Sequence, residues 1–159
     1  MRATMRRKLR SGGLHGPTKR RLYAKYSVSA FPLKLFTSPG GSLAVEVIST
    51  RVVSTKLSGF LDVGLAQLLI ASLNECVTLG AGHLIAFHDW ESITDYDTDV
   101  RALLAPWSRL HRSNFDCVHL LVHSRTLAWG IRIVTGIAGG SLVAHHDRAS
   151  FDQAYRAAF

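Results

Sequence analysis

Residues 62–87 read DVGLAQLLIASLNECVTLGAGHLIAF, and two hydrophobic periods meet inside them. Leu65, Leu68, Leu69, Leu73 and Cys76 recur at helical spacing, Asp62 stands where an N-cap belongs, and Gly80 follows where a helix stops. Leu84-Ile85-Ala86-Phe87 is then a short continuous apolar run, the mark of a strand covered on both faces. A helix feeding a buried strand is half of a β-α-β unit, so strands and helices should alternate around it.

Upstream, Leu43, Val45 and Val47 alternate with Ala44 and Glu46 at the period of a half-buried strand. Leu33, Leu35 and Phe36 precede the turn signal Ser38-Pro39-Gly40-Gly41, and Val52-Val53-Ser54-Thr55 is a second β-branched run. The domain therefore opens with a hairpin or meander. Downstream, Thr94 with Asp97 three residues later reads as a capping-box-like helix start, followed by Tyr96, Val100, Leu103, Leu104, Trp107 and Leu110 on one stripe. Pro106 lies inside that stripe and should kink or split the helix near Ala102 to Ala105. Cys117 to Val122 reads as a strand, with Ser124 capping a helix from Arg125 to about Ala138 that Gly139-Gly140 ends. Leu142-Val143-Ala144 is a last strand, and Asp147 or Ser150 caps a final helix with Phe151, Ala154, Tyr155 and Ala158 on one face. The expected class is α/β: a mixed, largely parallel sheet packed by about four helices.

A chain of 159 residues with 47% apolar and 19% charged side chains suits one globular domain, not a rod, a collagen repeat or a wholly disordered chain. The net charge of +8 is unevenly placed. Residues 1–30 carry nine Arg and Lys and no acid, whereas residues 31–159 sum to −1. The basicity thus belongs to a tail, residues 1–30, read as disordered or loosely helical, and residues 31–159 form the domain. The tail lacks the apolar stretch of a secretory signal. It suits a linker, an extension from an upstream start codon, a transit peptide or a phosphate-binding arm. Nothing in the nearly neutral domain calls for a specific nucleic-acid partner. Cys76 and Cys117 form no CxxC pair, which points to a reducing, cytoplasmic setting.

Candidate chemistry is sparse. His119 and His123, four apart on a predicted strand, would sit about 13 Å apart and cannot share one ion. His145 and His146 point to opposite faces, and no HExxH or Cys/His spacing is present, so neither a metal nor another cofactor is expected. Gly80-Ala81-Gly82 precedes a strand instead of opening a helix, so it is no dinucleotide loop. The segment from His88 to Asp99 is more distinctive. It follows the predicted central strand, where open α/β sheets place their ligand and interaction sites, and it holds five of the 11 acids with Trp90 and Tyr96 as exposed aromatics. Its acids either complement a helix dipole or form an interaction surface. Asp89, Ser92, Thr94, Asp95 and Asp97 are the candidate residues. The stretch Leu127 to Ile137 is apolar nearly all round, hence a core helix or a partner- or lipid-facing surface with Trp129 and Ile133. Arg132 interrupts it well short of the about 20 residues a membrane span needs.

From roughly Leu43 to Phe159 the chain resembles the STAS/SpoIIAA-like superfamily, the fold of bacterial anti-sigma-factor antagonists. The resemblance rests on a strand pair ending in Ser58-Gly59-Phe60-Leu61-Asp62, the helix after it, the strand Leu84 to Asp89 ending in an acid, a helix whose N-terminal loop holds Asp89, Ser92 and Thr94, and two further strand-helix units. It implies a non-catalytic bacterial regulatory protein with a protein partner such as a kinase or an anti-sigma factor. It also implies a phosphorylatable Ser or Thr after the central strand, to which only Ser92 and Thr94 correspond, with Trp90 and Glu91 replacing the usual small residues. Lipid-binding members of the wider group offer the alternative of a lipid or membrane-surface protein.

Overall fold

A computed structural model describes residues 32–80, 82–123 and 141–159. The chain opens with an antiparallel meander, β1 (Lys34–Thr37), β2 (Gly41–Ser49) and β3 (Val52–Leu61). The β1–β2 turn packs on Gly59, whose φ of 76° and whose approach to the Gly40 carbonyl (2.4 Å from where a Cβ would stand) leave room for no side chain. Helix α1 (Val63–Leu79) carries the chain to β4 (Leu84–Tyr96), and α2 (Thr98–Leu110) with a 3₁₀ turn (Arg112–Asn114) leads to β5 (Phe115–Leu121). The described chain ends with β6 (Ser141–His145) and α3 (Arg148–Ala157). The six strands lie in the order β1-β2-β3-β4-β5-β6, and the pairings β3–β4, β4–β5 and β5–β6 are parallel. This is the mixed α/β sheet the sequence predicts.

Asp62 starts α1 as expected: its Oδ1 accepts from the Leu65 amide at 2.7 Å, and Gly80 closes the helix. The Ser38 hydroxyl and that amide together lower the Asp62 carboxyl pKa. Leu65, Leu69, Leu73 and Cys76 face the sheet and bury against Leu43, Val45, Val53, Leu57, Leu84 and Leu120, making the larger core. A smaller core on the opposite face gathers Val52, Phe87, Leu121 and Phe151 with Tyr155 under α3. Phe87 stacks on His119, with ring centroids 4.6 Å apart, and meets Phe151 edge-on.

Several expectations are corrected. Three α-helices lie among the described residues; the fourth, Arg125 to about Ala138, falls outside them. Helix α2 is continuous through Pro106, because Pro106 and Ala102, whose carbonyl loses its amide partner, are both exposed to water. Leu68 and Leu110 leave their stripes, 38% and 76% exposed. Trp90, expected at the surface, is buried. Thr94 caps nothing: β4 runs on to Tyr96, and Asp97 is the N-cap of α2, accepting from the Asp99 amide at 3.0 Å. The strand continues because β3 keeps pairing with it to its own end, Ser58 with Ser92, Gly59 with Ile93 and Leu61 with Tyr96, past two bulges.

Candidate functional site

The second half of β4 places the candidate residues on a strand, not in the loop that the sequence predicts. Up to Asp89 the strand alternates regularly: Leu84 and Ala86 enter the larger core, while Phe87 faces α3. His88 lies on the α1 side, buried with Thr55 and Trp90. The Trp90 Nε1–H donates to Thr55 Oγ1 at 3.4 Å, and the Thr55 hydroxyl shares a further hydrogen bond of 2.7 Å with His88 Nδ1. Burial disfavours the charged ring and lowers the His88 pKa to about 4, so His88 is neutral near pH 7. His88 is therefore a core residue.

Asp89 and Glu91 both reach Arg148 at the start of α3. The guanidinium presents a fork to Asp89, Nη1 to Oδ2 and Nη2 to Oδ1, each at 2.9 Å, and Nη2 also donates to Glu91. The bonds to Asp89 and then Glu91 raise the arginine pKa further, so it stays charged under all conditions of interest. Asp89 is buried and its carboxylate is engaged, so it anchors α3 instead of presenting a free acid to a partner. Arg148, 59 residues away in the chain, is the member of this cluster that the sequence does not reveal. Its one signal is its place just after the Asp147 cap.

Beyond the ion pair the strand emerges. Ser92, Thr94 and Asp95 are exposed, while Asp97 is half-buried by its capping role. Ser42, Ser58 and Ser92 lie in register across β2, β3 and β4, and the Ser42 and Ser58 hydroxyls are 2.8 Å apart. The result is a row of hydroxyls across three strands, which on β4 follows the two carboxylates that hold Arg148. Tyr96 ends the strand on the opposite face, packed against the larger core, its hydroxyl accepting from Arg101, whose guanidinium lies 5.0 Å from the ring centroid. The structure thus brings Ser92, Thr94 and Asp95 together at the surface and separates Asp89 and Asp97 from them by role. Trp129 and Ile133 lie outside the described residues. Among the described residues no three His, Cys, Asp or Glu side chains are grouped to hold a metal ion. No helix among them is long and apolar enough to cross a membrane.

No family model and no curated protein matches the chain. Solved structures do. An uncharacterised protein of the DUF3478 family from Shewanella loihica, with a SpoIIAA-like fold, superposes with a TM-score of 0.57 at 14% identity, over 74% of this chain and 97% of that one. The phosphorylated form of the Bacillus cell-fate determinant SpoIIAA superposes with a TM-score of 0.51 at 16% identity, over 70% of this chain and 98% of that one. The chain has a SpoIIAA-like fold, as the resemblance implies.

Proposed function

We propose that this chain is a non-catalytic regulatory protein that acts by protein–protein contact through the exposed end of β4. One observation carries the reading: Ser92 and Thr94 stand exposed on a central strand, directly after Asp89 and Glu91, which hold the Arg148 guanidinium. A hydroxyl-rich strip that follows paired charges along the strand suits recognition of a protein surface, since charge complementarity sets orientation and on-rate. The Bacillus protein of like fold exists in a phosphorylated form, which supports Ser92 or Thr94 as an acceptor and a kinase or an anti-sigma factor as the class of partner.

Phosphate at Ser92 would add roughly −1.5 to −2 charge and three acceptor oxygens. Capture of the full chain's partner from native extract, followed by titration of wild type against Ser92→Asp and Thr94→Asp, tests the reading. A stoichiometric protein whose affinity changes by about tenfold, or about 1.4 kcal/mol, in at least one variant is the expected result. Equal affinities for all three forms remove this strip from the interface, and co-purified lipid with no protein overturns the reading in favour of a lipid-binding role.

A further inference from the structure

On the α3 side of the sheet five side chains from three elements form an unbroken hydrogen-bonded chain. Cys117 Sγ on β5 lies 3.4 Å from His119 Nε2, and His119 Nδ1 lies 3.0 Å from His145 Nε2 on β6. His145 Nδ1 lies 3.2 Å from the Ser150 hydroxyl of α3, which donates to Asp147 Oδ2 at 2.9 Å. Counting protons gives the chain a direction. The Asp147 carboxylate is kept ionised by the Ser150 amide and hydroxyl, so Ser150 spends its only proton there and must accept from His145 Nδ1–H. His145 Nε2 then accepts from His119 Nδ1–H, and His119 Nε2 is left to accept from the Cys117 thiol. Both imidazoles are neutral in this arrangement. Burial lowers the pKa of each, and for His119 the neighbouring His145 adds to it. Phe87 from β4 and Phe151 from α3 pack against the two rings and hold them in line.

We infer that Cys117 is an oxidant-sensitive modification site, a half-buried thiol paired with His119 and set to react with hydroperoxides as its proton passes into the His119–His145–Ser150–Asp147 chain. The thiol proton goes to His119 Nε2 while the Nδ1 proton of His119 passes to His145 Nε2. The positive charge comes to rest on the imidazole nearest Asp147. The thiolate attacks one peroxide oxygen, the S–O bond forms, and the O–O bond breaks. The departing oxygen takes up the relayed proton, so a thiol and a hydroperoxide give a sulfenic acid and an alcohol or water. Cys117 is oxidised and the peroxide is reduced. A positioned base that accepts the thiol proton is the general requirement for an activated cysteine. Cys76 is the internal contrast: it is buried among Leu69 and Leu73, and burial raises its thiol pKa. This inference does not rest on the proposed partner surface.

The test treats the full chain with hydrogen peroxide at neutral pH, traps sulfenic acid with dimedone, and reads each cysteine by peptide mass spectrometry. Cys117 should react at least about tenfold faster in the native chain than in urea, since a positioned proton acceptor contributes typically 10²–10⁴-fold and partial burial takes some of that back. Cys76 should react only in urea. His119→Gln should bring the native-to-urea ratio to one or below with circular dichroism unchanged, and His145→Gln should lower the ratio and shift its pH profile. A native wild-type chain in which Cys117 reacts no faster than in urea overturns the inference, whatever the variants do. So does a folded His119→Gln chain that keeps the acceleration. Partner affinity is untouched by either result, which separates this failure from failure of the proposed function.

Discussion

The two faces of the sheet are built by different means. Toward α1 and α2, Leu43, Val53, Leu57, Leu65, Leu69, Leu84 and Leu120 interlock as aliphatic side chains, and the one polar knot among them, Trp90–Thr55–His88, is satisfied internally. Toward α3 a smaller core with Val52 and Leu121 is joined by rings and hydrogen bonds: Phe87, His119, His145 and Phe151, with Arg148 clamped on Asp89 and Glu91. Aliphatic packing supplies stability without direction. Ring stacks and charged forks supply direction, and they sit where the surface becomes polar. The larger aliphatic core and the ring-and-charge contacts therefore lie on opposite faces of the sheet.

The strongest way to break this contrast is Leu69→Ala. Leu69 is almost completely buried at the centre of α1, and its truncation should cost about 2–5 kcal/mol, measured by urea unfolding. A loss below about 0.5 kcal/mol would mean that α1 is not the lid of the main core.

The polar knot gives the next effect, read as a function of pH. Unfolded His88 takes up a proton near pH 6.5, whereas the folded residue does so only near pH 4. Between these values the unfolded chain binds more protons, so stability falls as pH drops from 6.5 toward 4, by about 3 kcal/mol for this group. His119 and His145, also lowered, add in the same direction. A urea midpoint that stays constant from pH 7.5 to 5 would show that His88 is not buried neutral.

Thr55→Val keeps the shape of the side chain and removes the hydroxyl that serves both His88 and Trp90. Leaving those two groups without their partner should cost about 1–3 kcal/mol, with the larger core otherwise intact by near-ultraviolet circular dichroism. On the exposed half of β4, Ser92→Ala should change stability by no more than about 0.5 kcal/mol, because Ser92 is exposed. A Ser92→Ala chain that melts markedly lower would make the hydroxyl strip a structural seam.

The aliphatic face is the one the sequence makes legible. Its residues repeat at 3.6 in α1 and at 2 in β2, while β3 and the first half of β4 stand out as a β-branched and a continuous apolar run, so these elements, the Asp62 cap and the Gly80 stop are legible in the sequence. The second half of β4 is not legible, and the reason is geometric. Its two bulges put Trp90, Ile93 and Tyr96 on the core side at intervals of three, which imitates a helix entry and hides a strand. The acids of that segment look alike in sequence, yet Asp89 is tied to Arg148, Asp97 caps a helix and Asp95 meets water. Only the partner on α3, 59 residues further on, distinguishes the first from the others. In the same way, two histidines 26 residues apart give no sign that their ring nitrogens touch.

The order of strands across the sheet is their order along the chain. Each of β2 to β6 therefore hydrogen-bonds to the strand made just before it, and none has to be threaded between two that are already paired. A ribosome releasing this protein would extend one growing edge, with β3, α1 and β4 able to close the larger core before β5 is synthesised. Near-neighbour pairing of this kind lowers contact order and with it the entropic cost of closing each loop. It also completes the α3 side after the larger core: Arg148, His145 and Ser150 reach their partners only once β6 and α3 have been made, so the oxidant-sensitive chain and the clamp beside the hydroxyl strip form together.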